Sequence, residues 1–450
     1  MRIEEIRAQL QHRSMTRYQI LAVAIAMLVH MADGFDLLAI SFAGAAIDRE
    51  WLLGPERLGQ LFSAGLLGMA FGALGLSWLA DVYGRRTATL INLTVITIGM
   101  TVAAFAASFH ELLAARLVTG LGVGAMNAAI GSLVYELSPE RRREISLGLV
   151  AGAYSLGTII GGIVSIWLLT IGWRAVFGFG AVLTALLIPV VYFLLPESLD
   201  FLLGRHPRNA LSRANKELAR LGFEPLAELP AKKSNPDSKR GSLVDLVRPP
   251  VLIGLVLACL GYFGFSVSQY FILNWMPRLM VAAGYTDAGA ISFSVIANIG
   301  AIGGCAAVGI CTARWGLRTV TVTMLVITAV AIAAFGTLPL DARGLIRTSS
   351  FFIGFASFAA AVGMFSIMAS RFPPHVRATG IGASFTAGRL GSAAGAYLGG
   401  FLLAIGLERP ELCMVLALPA IGAAFVISFL ARRKSSTSTL VGRPLPAESS

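Results

Sequence analysis

The sequence predicts an all-α integral membrane protein: twelve transmembrane helices in two pseudo-symmetric six-helix halves. Three observations carry that prediction. Only 13% of the 450 residues are charged and 56% are hydrophobic, against about 25% charged in a typical soluble domain. Apolar stretches recur at spanning length, as in the charge-free run 87–109, and a bilayer core takes about 20 apolar residues per helix. Finally, parts of the second half of the chain repeat parts of the first in register.

Breaks of charge, proline and glycine delimit spans at 18–46, 58–80, 87–109, 112–137, 145–169, 173–195, 250–277, 287–312, 318–338, 345–370, 376–404 and 411–431. This gives a cytoplasmic N-terminus (1–17), an N-terminal half (18–195), a polar linker (196–249), a C-terminal half (250–431) and a short tail (432–450). The start, MRIEEIRAQLQHRSMTRYQ, lacks the pattern of a cleavable signal. With both termini in the cytoplasm, most of the 36 Lys and Arg residues fall on that side, which the positive-inside rule requires. The net charge of +12 is therefore a topology signal and not a nucleic-acid surface. Cys259, Cys305, Cys311 and Cys413 lie in or beside apolar segments without a CxxC pair, so they read as small packing residues, not metal ligands or disulfides.

The repeat is specific. SPERRREISLGLVAGAYSLGTIIGG (138–162) aligns on FPPHVRATGIGASFTAGRLGSAAGA (372–396) at an offset of 234, matching Pro139/Pro373, Arg143/Arg377, Gly148/Gly382, Gly157/Gly391 and Gly161/Gly395. DVYGRRT (81–87) aligns on ARWGLRT (313–319) at an offset of 232. Parallel six-helix repeats are the layout of transporters that move two halves about a central site. Glycines in register let helix backbones approach closely.

Charges inside the spans are the candidates for function, because lipid makes them costly. VHMADGFDLLAI (29–40) holds His30, Asp33 and Asp36 on one helical face. Two carboxylates this close in a low dielectric cannot both carry charge cheaply, which suits the pair to taking up and releasing a proton. His30 is a relay or a packing residue. Gly34 admits a neighbouring helix or a substrate. Arg389 lies roughly 20 Å into the eleventh span at helical rise, near mid-membrane, and its repeat partner is Ser155. Its planar fork suits a carboxylate, so it anchors an organic anion or forms a salt bridge to Asp33 or Asp36. Arg116, nearer a membrane face, contacts substrate or snorkels to the interface. Tyr154, Gln269, Tyr270, Asn274, Trp275, Asn298 and Phe385 are candidates to line the binding cavity, with packing as the alternative for each aromatic. Asp81, Arg85, Arg86, Glu136 and Arg143 form a candidate cytoplasmic gate of breakable salt bridges.

These features resemble a known family. The loop DVYGRR, the turn PESLDFL after the sixth span and the twelve-span layout are similar to the major facilitator superfamily. DGFD in the first span, RLVTGLGVGA in the fourth, FILNWMP in the seventh and FPPHVRATGIG…GRLG in the eleventh resemble its aromatic acid:proton symporters. The resemblance implies proton-driven uptake of an aromatic acid such as a hydroxybenzoate, benzoate or phenylpropionate across a bacterial inner membrane. It assigns roles to Asp33, Asp36, Arg116 and Arg389. Departures are Ser77 and Ala313, which stand where the superfamily loops carry Gly and Asp, and Ala128–Ala129 in place of a frequent Pro-Asn.

The expected partners are therefore a small organic acid anion, protons and the bilayer, with the gradient in place of a cofactor and a monomer as the working unit. A non-aromatic acid remains the alternative substrate. A proton-driven exporter is less favoured, since Thr158 stands where such antiporters carry proline. An enzyme is disfavoured because the five histidines are scattered.

Overall fold

The computed structural model describes residues 15–230, 249–373 and 376–432. Residues 1–14, the basic linker residues Lys232, Lys233, Lys239 and Arg240, and the tail beyond 432 lie outside the described residues. The helices are α1 (Arg17–Trp51), α2 (Gly54–Gly75), α3 (Leu79–Tyr83), α4 (Arg85–Phe105), α5 (Phe109–Leu137), α6 (Glu140–Leu168), α7 (Trp173–Leu194), α8 (Leu199–Arg205), α9 (Ala210–Leu221), α10 (Pro249–Ala282), α11 (Asp287–Trp315), α12 (Leu317–Thr337), α13 (Arg343–Arg371), α14 (Arg377–Ala404) and α15 (Arg409–Arg432).

Each of the twelve sequence spans has one long helix as its main part. Eleven are long and apolar enough to cross a membrane. The other, α14, has 28 residues but carries Arg389 among glycines, serines and threonines. The chain is a multi-pass membrane protein. Helices are the outcome lipid imposes on such runs, because a spanning segment must satisfy its own backbone hydrogen bonds.

Boundaries follow local chemistry. A capping box starts α1: the Gln19 N–H donates to Thr16 Oγ1 at 3.3 Å and the Thr16 N–H to Gln19 Oε1 at 2.8 Å. The second span runs differently from the expected 58–80. Its helix begins at Gly54–Pro55 and stops at Gly75, and α3 follows after a turn. Proline suits a first helical turn, and the GALGLS stretch has weak helix propensity. Gly84 (φ +97°) and Gly316 (φ +81°) open α4 and α12 at equivalent places in the repeat, a backbone region that favours glycine. In the linker, α8 and α9 bury Leu202, Leu203, Ala214, Leu218 and Leu221 together, with Tyr18 of α1 packed against them.

Two compact units emerge among the described residues. The first takes the chain up to the linker together with Leu273–Ile299 and Ala396–Leu407; the second takes up to Ile272 from α10, Gly300–Gly395 and the chain from Glu408. Within the first, α4 packs on α5 and α7; within the second, α12 packs on α13 and α15 in the same pattern.

The glycine register explains that likeness. A Cβ on Gly157 would lie 2.0 Å from the Met31 carbonyl oxygen, and one on Gly391 would lie 2.4 Å from that of Phe263. Gly161 faces the Phe35 ring and Gly395 the Val267 carbonyl, whereas Gly148 and Gly382 both face open space. Gly68 and Gly72 meet the carbonyls of Leu117 and Leu121, as Gly300 and Gly304 meet those of Phe351 and Phe355. The α1–α6 seam of the first unit is thus rebuilt as α10–α14 in the second, with Met31 and Phe35 equivalent to Phe263 and Val267.

Candidate functional site

In the first unit, α1 presents Asp33 and Asp36, both buried. Gly34 between them lies against backbone: a Cβ there would come within 2.2 Å of the Tyr154 carbonyl oxygen, so it admits a neighbouring helix. Asp36 forms an ion pair with Arg116, Nη1 to Oδ1 at 2.8 Å, and Nη2 also donates to the Asp36 carbonyl at 3.1 Å. Both residues are 2% exposed. This corrects two expectations. Arg116 does not snorkel: Gly65 makes room for its guanidinium, which sits beside the Phe177 ring at 5.9 Å. Among the described residues the ion-pair partner of Asp36 is Arg116, where the sequence had offered Arg389. His30 lies on the same helix, with Nδ1 buried and without a hydrogen bond among the described residues.

In the second unit, α10 and α14 bring Tyr270 and Arg389 together, Nη1 donating to the tyrosine hydroxyl at 3.3 Å. One turn along α14, Phe385 meets Tyr262 edge-on (centroids 5.0 Å apart) and stacks on Phe365 at 6.0 Å. Gln269 is buried on α10. The sequence reading missed Tyr262. Its only signal was the spacing to Tyr270, two helical turns along the same face.

The remaining candidates divide. Trp275, expected on a cavity wall, is fully buried in the first unit: its indole N–H donates to the Ala396 carbonyl at 2.8 Å and Phe62 meets it edge-on. Asn274 is buried, and its backbone carbonyl accepts the Ser41 hydroxyl at 2.7 Å. The Asn298 amide donates to Ser294 O within its own helix. The end of α1 is pinned by three consecutive charges. Asp48 pairs with Arg278 (2.7 Å), Arg49 forks onto Asp287 (3.1 and 2.7 Å), and Glu50 accepts from Trp173 and Arg174 (both 2.7 Å). The sequence alone did not single these residues out.

Of the expected gate, three members meet. Arg85 pairs with Asp81 at 2.9 Å and with Glu136 at 3.3 Å. The Arg86 guanidinium donates to the Tyr192 carbonyl and its backbone N–H to Glu197 Oε1 at 3.1 Å. Arg143 lies over the Tyr135 ring at 4.3 Å and makes no ion pair among the described residues. Glu197 of PESLDFL is the member the sequence reading did not single out. Its carboxylate is buried against Gly84, accepts the Ser198 N–H at 3.1 Å and faces Arg213 at 3.5 Å. Burial pushes this carboxyl above the usual carboxylate range, against the pull of the N–H groups and Arg213.

Comparison with known proteins agrees with this architecture. A gallate transporter of Pseudomonas putida is 29% identical over 426 residues, covering 94% of each chain. A 4-hydroxybenzoate transporter of the same organism is 29% identical over 422 residues, 92% of this chain and 93% of that one. Among solved structures, the xylose transporter XylE from E. coli, in a partially occluded inward open conformation, superposes with a TM-score of 0.70 at 16% identity, covering 96% of this chain and all of the other. The profile of the Major Facilitator Superfamily matches residues 22–396, and the chain belongs to that superfamily.

Proposed function

We propose that this protein imports an aromatic acid anion together with protons by alternating access. The observation that carries the reading is the Arg389–Tyr270 pair beside the Phe385 ring wall: a cationic fork next to aromatic faces fits a carboxylate joined to a ring. The names of the relatives, gallate and 4-hydroxybenzoate transporters, point to the same substrate class. The Arg116 ion pair already compensates Asp36, so proton uptake is assigned to Asp33, with Arg116–Asp36 fixing the helix that carries it. Asp81, Arg85, Arg86, Glu136 and Glu197 form the inner gate, and the linker and both termini lie in the cytoplasm. The bacterial inner membrane is the proposed location, the monomer the proposed unit, and the proton gradient serves in place of a cofactor. One proton per monoanion is electroneutral; a second would add about 2.3 kcal/mol per 100 mV.

Uptake into proteoliposomes under an imposed pH gradient tests this with a panel of aromatic and aliphatic acids. Aromatic acids should accumulate and compete with one another. Accumulation of aliphatic acids alone would transfer the assignment to a non-aromatic substrate. Asp33→Asn should abolish gradient-driven accumulation while leaving counterflow exchange, and full accumulation by that variant would remove Asp33 from coupling.

A further inference from the structure

We propose that Tyr262 determines substrate specificity, its hydroxyl selecting aromatic acids that carry a ring hydroxyl over those with a bare ring. This rests on the aromatic-acid reading above. The ring of Tyr262 is held on three sides. It meets Phe385 edge-on at 5.0 Å and Phe265 at 5.9 Å, and it occupies the space that a side chain at position 388 would fill. A Cβ on Gly388 would stand 2.1 Å from Tyr262 Cδ1. The glycine immediately before Arg389 thus seats this ring beside the proposed anion anchor.

The hydroxyl is in a different situation from the ring. It makes no hydrogen bond among the described residues, although it lies within electrostatic reach of both Tyr270 and Arg389. Nor is it among the sealed polar atoms that lack a partner. A hydroxyl on a half-buried side chain beside a cationic fork, with its ring fixed and no hydrogen bond among the described residues, is a recognition group for a ligand atom. Tyr262 and Tyr270 are two turns apart on α10, roughly 12 Å along the axis, a span that accommodates a carboxylate at Arg389 and one ring extending towards Tyr262. A phenolic substituent there both donates to and accepts from the tyrosine hydroxyl. Sites built to bond a substrate hydroxyl discriminate against the analogue that lacks it.

Tyr262→Phe removes only the hydroxyl and keeps the ring wall. Initial uptake of benzoate and of 4-hydroxybenzoate is measured in proteoliposomes for the wild type and this variant. The expected result is a KM for 4-hydroxybenzoate raised about five- to tenfold, in keeping with one lost hydrogen bond, with benzoate kinetics within about twofold of the wild type. An unchanged ratio of the two KM values, or an equal loss for both acids, would overturn the role of the hydroxyl and leave the aromatic-acid function standing. Failure of the wild type to take up either acid would overturn both.

Discussion

The two units share a backbone plan and differ in where they place charge. In the first, α1 carries Asp33 and Asp36, and Asp36 is paired with Arg116 of α5. By the register of the glycine seams, the equivalent positions in the second unit are Phe265, Ser268 and Ser350. Phe265 belongs to an apolar core with Met364, Met368 and Ile427. The Ser268 hydroxyl accepts the Ala420 N–H, and Ser350 bonds back to Ile346 O. Conversely, Arg389 and Tyr262 of the second unit stand where the first has Ser155 and His30. The same helix seams therefore form with and without the charges, so the fold does not require them. Their retention in an environment that penalises them is an argument for function, and the division places the acids in one unit and the proposed anion anchor in the other.

The largest test of that contrast removes one half of the buried pair. Arg116→Ala strands the Asp36 carboxylate and should cost about 3–5 kcal/mol, read as thermal unfolding in detergent. Writing in the residues of the second unit, Asp36→Ser with Arg116→Ser, should recover most of that loss. A double variant no more stable than Arg116→Ala would break the claim that the scaffold is indifferent to the charge.

The seams offer a symmetric test. Gly157→Ala and Gly391→Ala each place a methyl group against a backbone carbonyl and should destabilise by about 1–3 kcal/mol. Gly148→Ala and Gly382→Ala, in open space, should stay within about 0.5 kcal/mol. A penalty confined to one half would show that the repeat is a likeness of sequence without a likeness of packing.

Arg389→Lys sharpens the assignment of the anchor. It keeps the charge and loses the fork, so KM for the acid should rise about tenfold, equivalent to about 1.4 kcal/mol, with little change in maximal rate. Unchanged KM would place the anion elsewhere.

The smallest effect concerns Glu197, since the repeat has Ala313 where Asp81 helps build the charged end of the first unit. Its carboxyl is raised by burial in the folded state, so the folded form binds the proton more readily than the unfolded form. That contribution is present below the ordinary carboxylate range and is lost as pH rises through the raised value. Wild-type stability should gain on that of Glu197→Gln as pH falls through this window. A pH-independent difference between the two would mean that Glu197 ionises as an exposed carboxyl does.

Most of the fold was legible because lipid leaves an apolar run few options: span length fixed the helices and the glycine register fixed their seams. The site was legible in part. Asp33, Asp36 and Arg389 are conspicuous wherever a helix is apolar, but counting residues gives depth along a helix and not the neighbour it faces. That is why Arg116 stood between a substrate contact and an interface residue, and its pairing with Asp36 went unseen. Tyr262 was hidden because an aromatic residue in a membrane helix looks like packing until the glycine opposite it is known. Trp275 was the reverse, a polar-tipped ring whose N–H was already committed to a carbonyl. Glu197 lies just past a span, where an acid ordinarily meets water, and only its contacts with Gly84 and the Arg86 N–H at the start of α4 reveal its burial.

Trp275 has one more consequence. The chain has six tryptophans, of which Trp78, Trp167 and Trp315 are exposed. Trp275 is shut away from water, with its N–H on the Ala396 carbonyl and the Phe62 edge against its face. Indole emission colour and near-ultraviolet dichroism depend on that kind of surrounding. With Trp51, Trp78, Trp167, Trp173 and Trp315 replaced by phenylalanine, the protein carries a native optical reporter on the joint between α10 and the end of α14, and needs no attached dye.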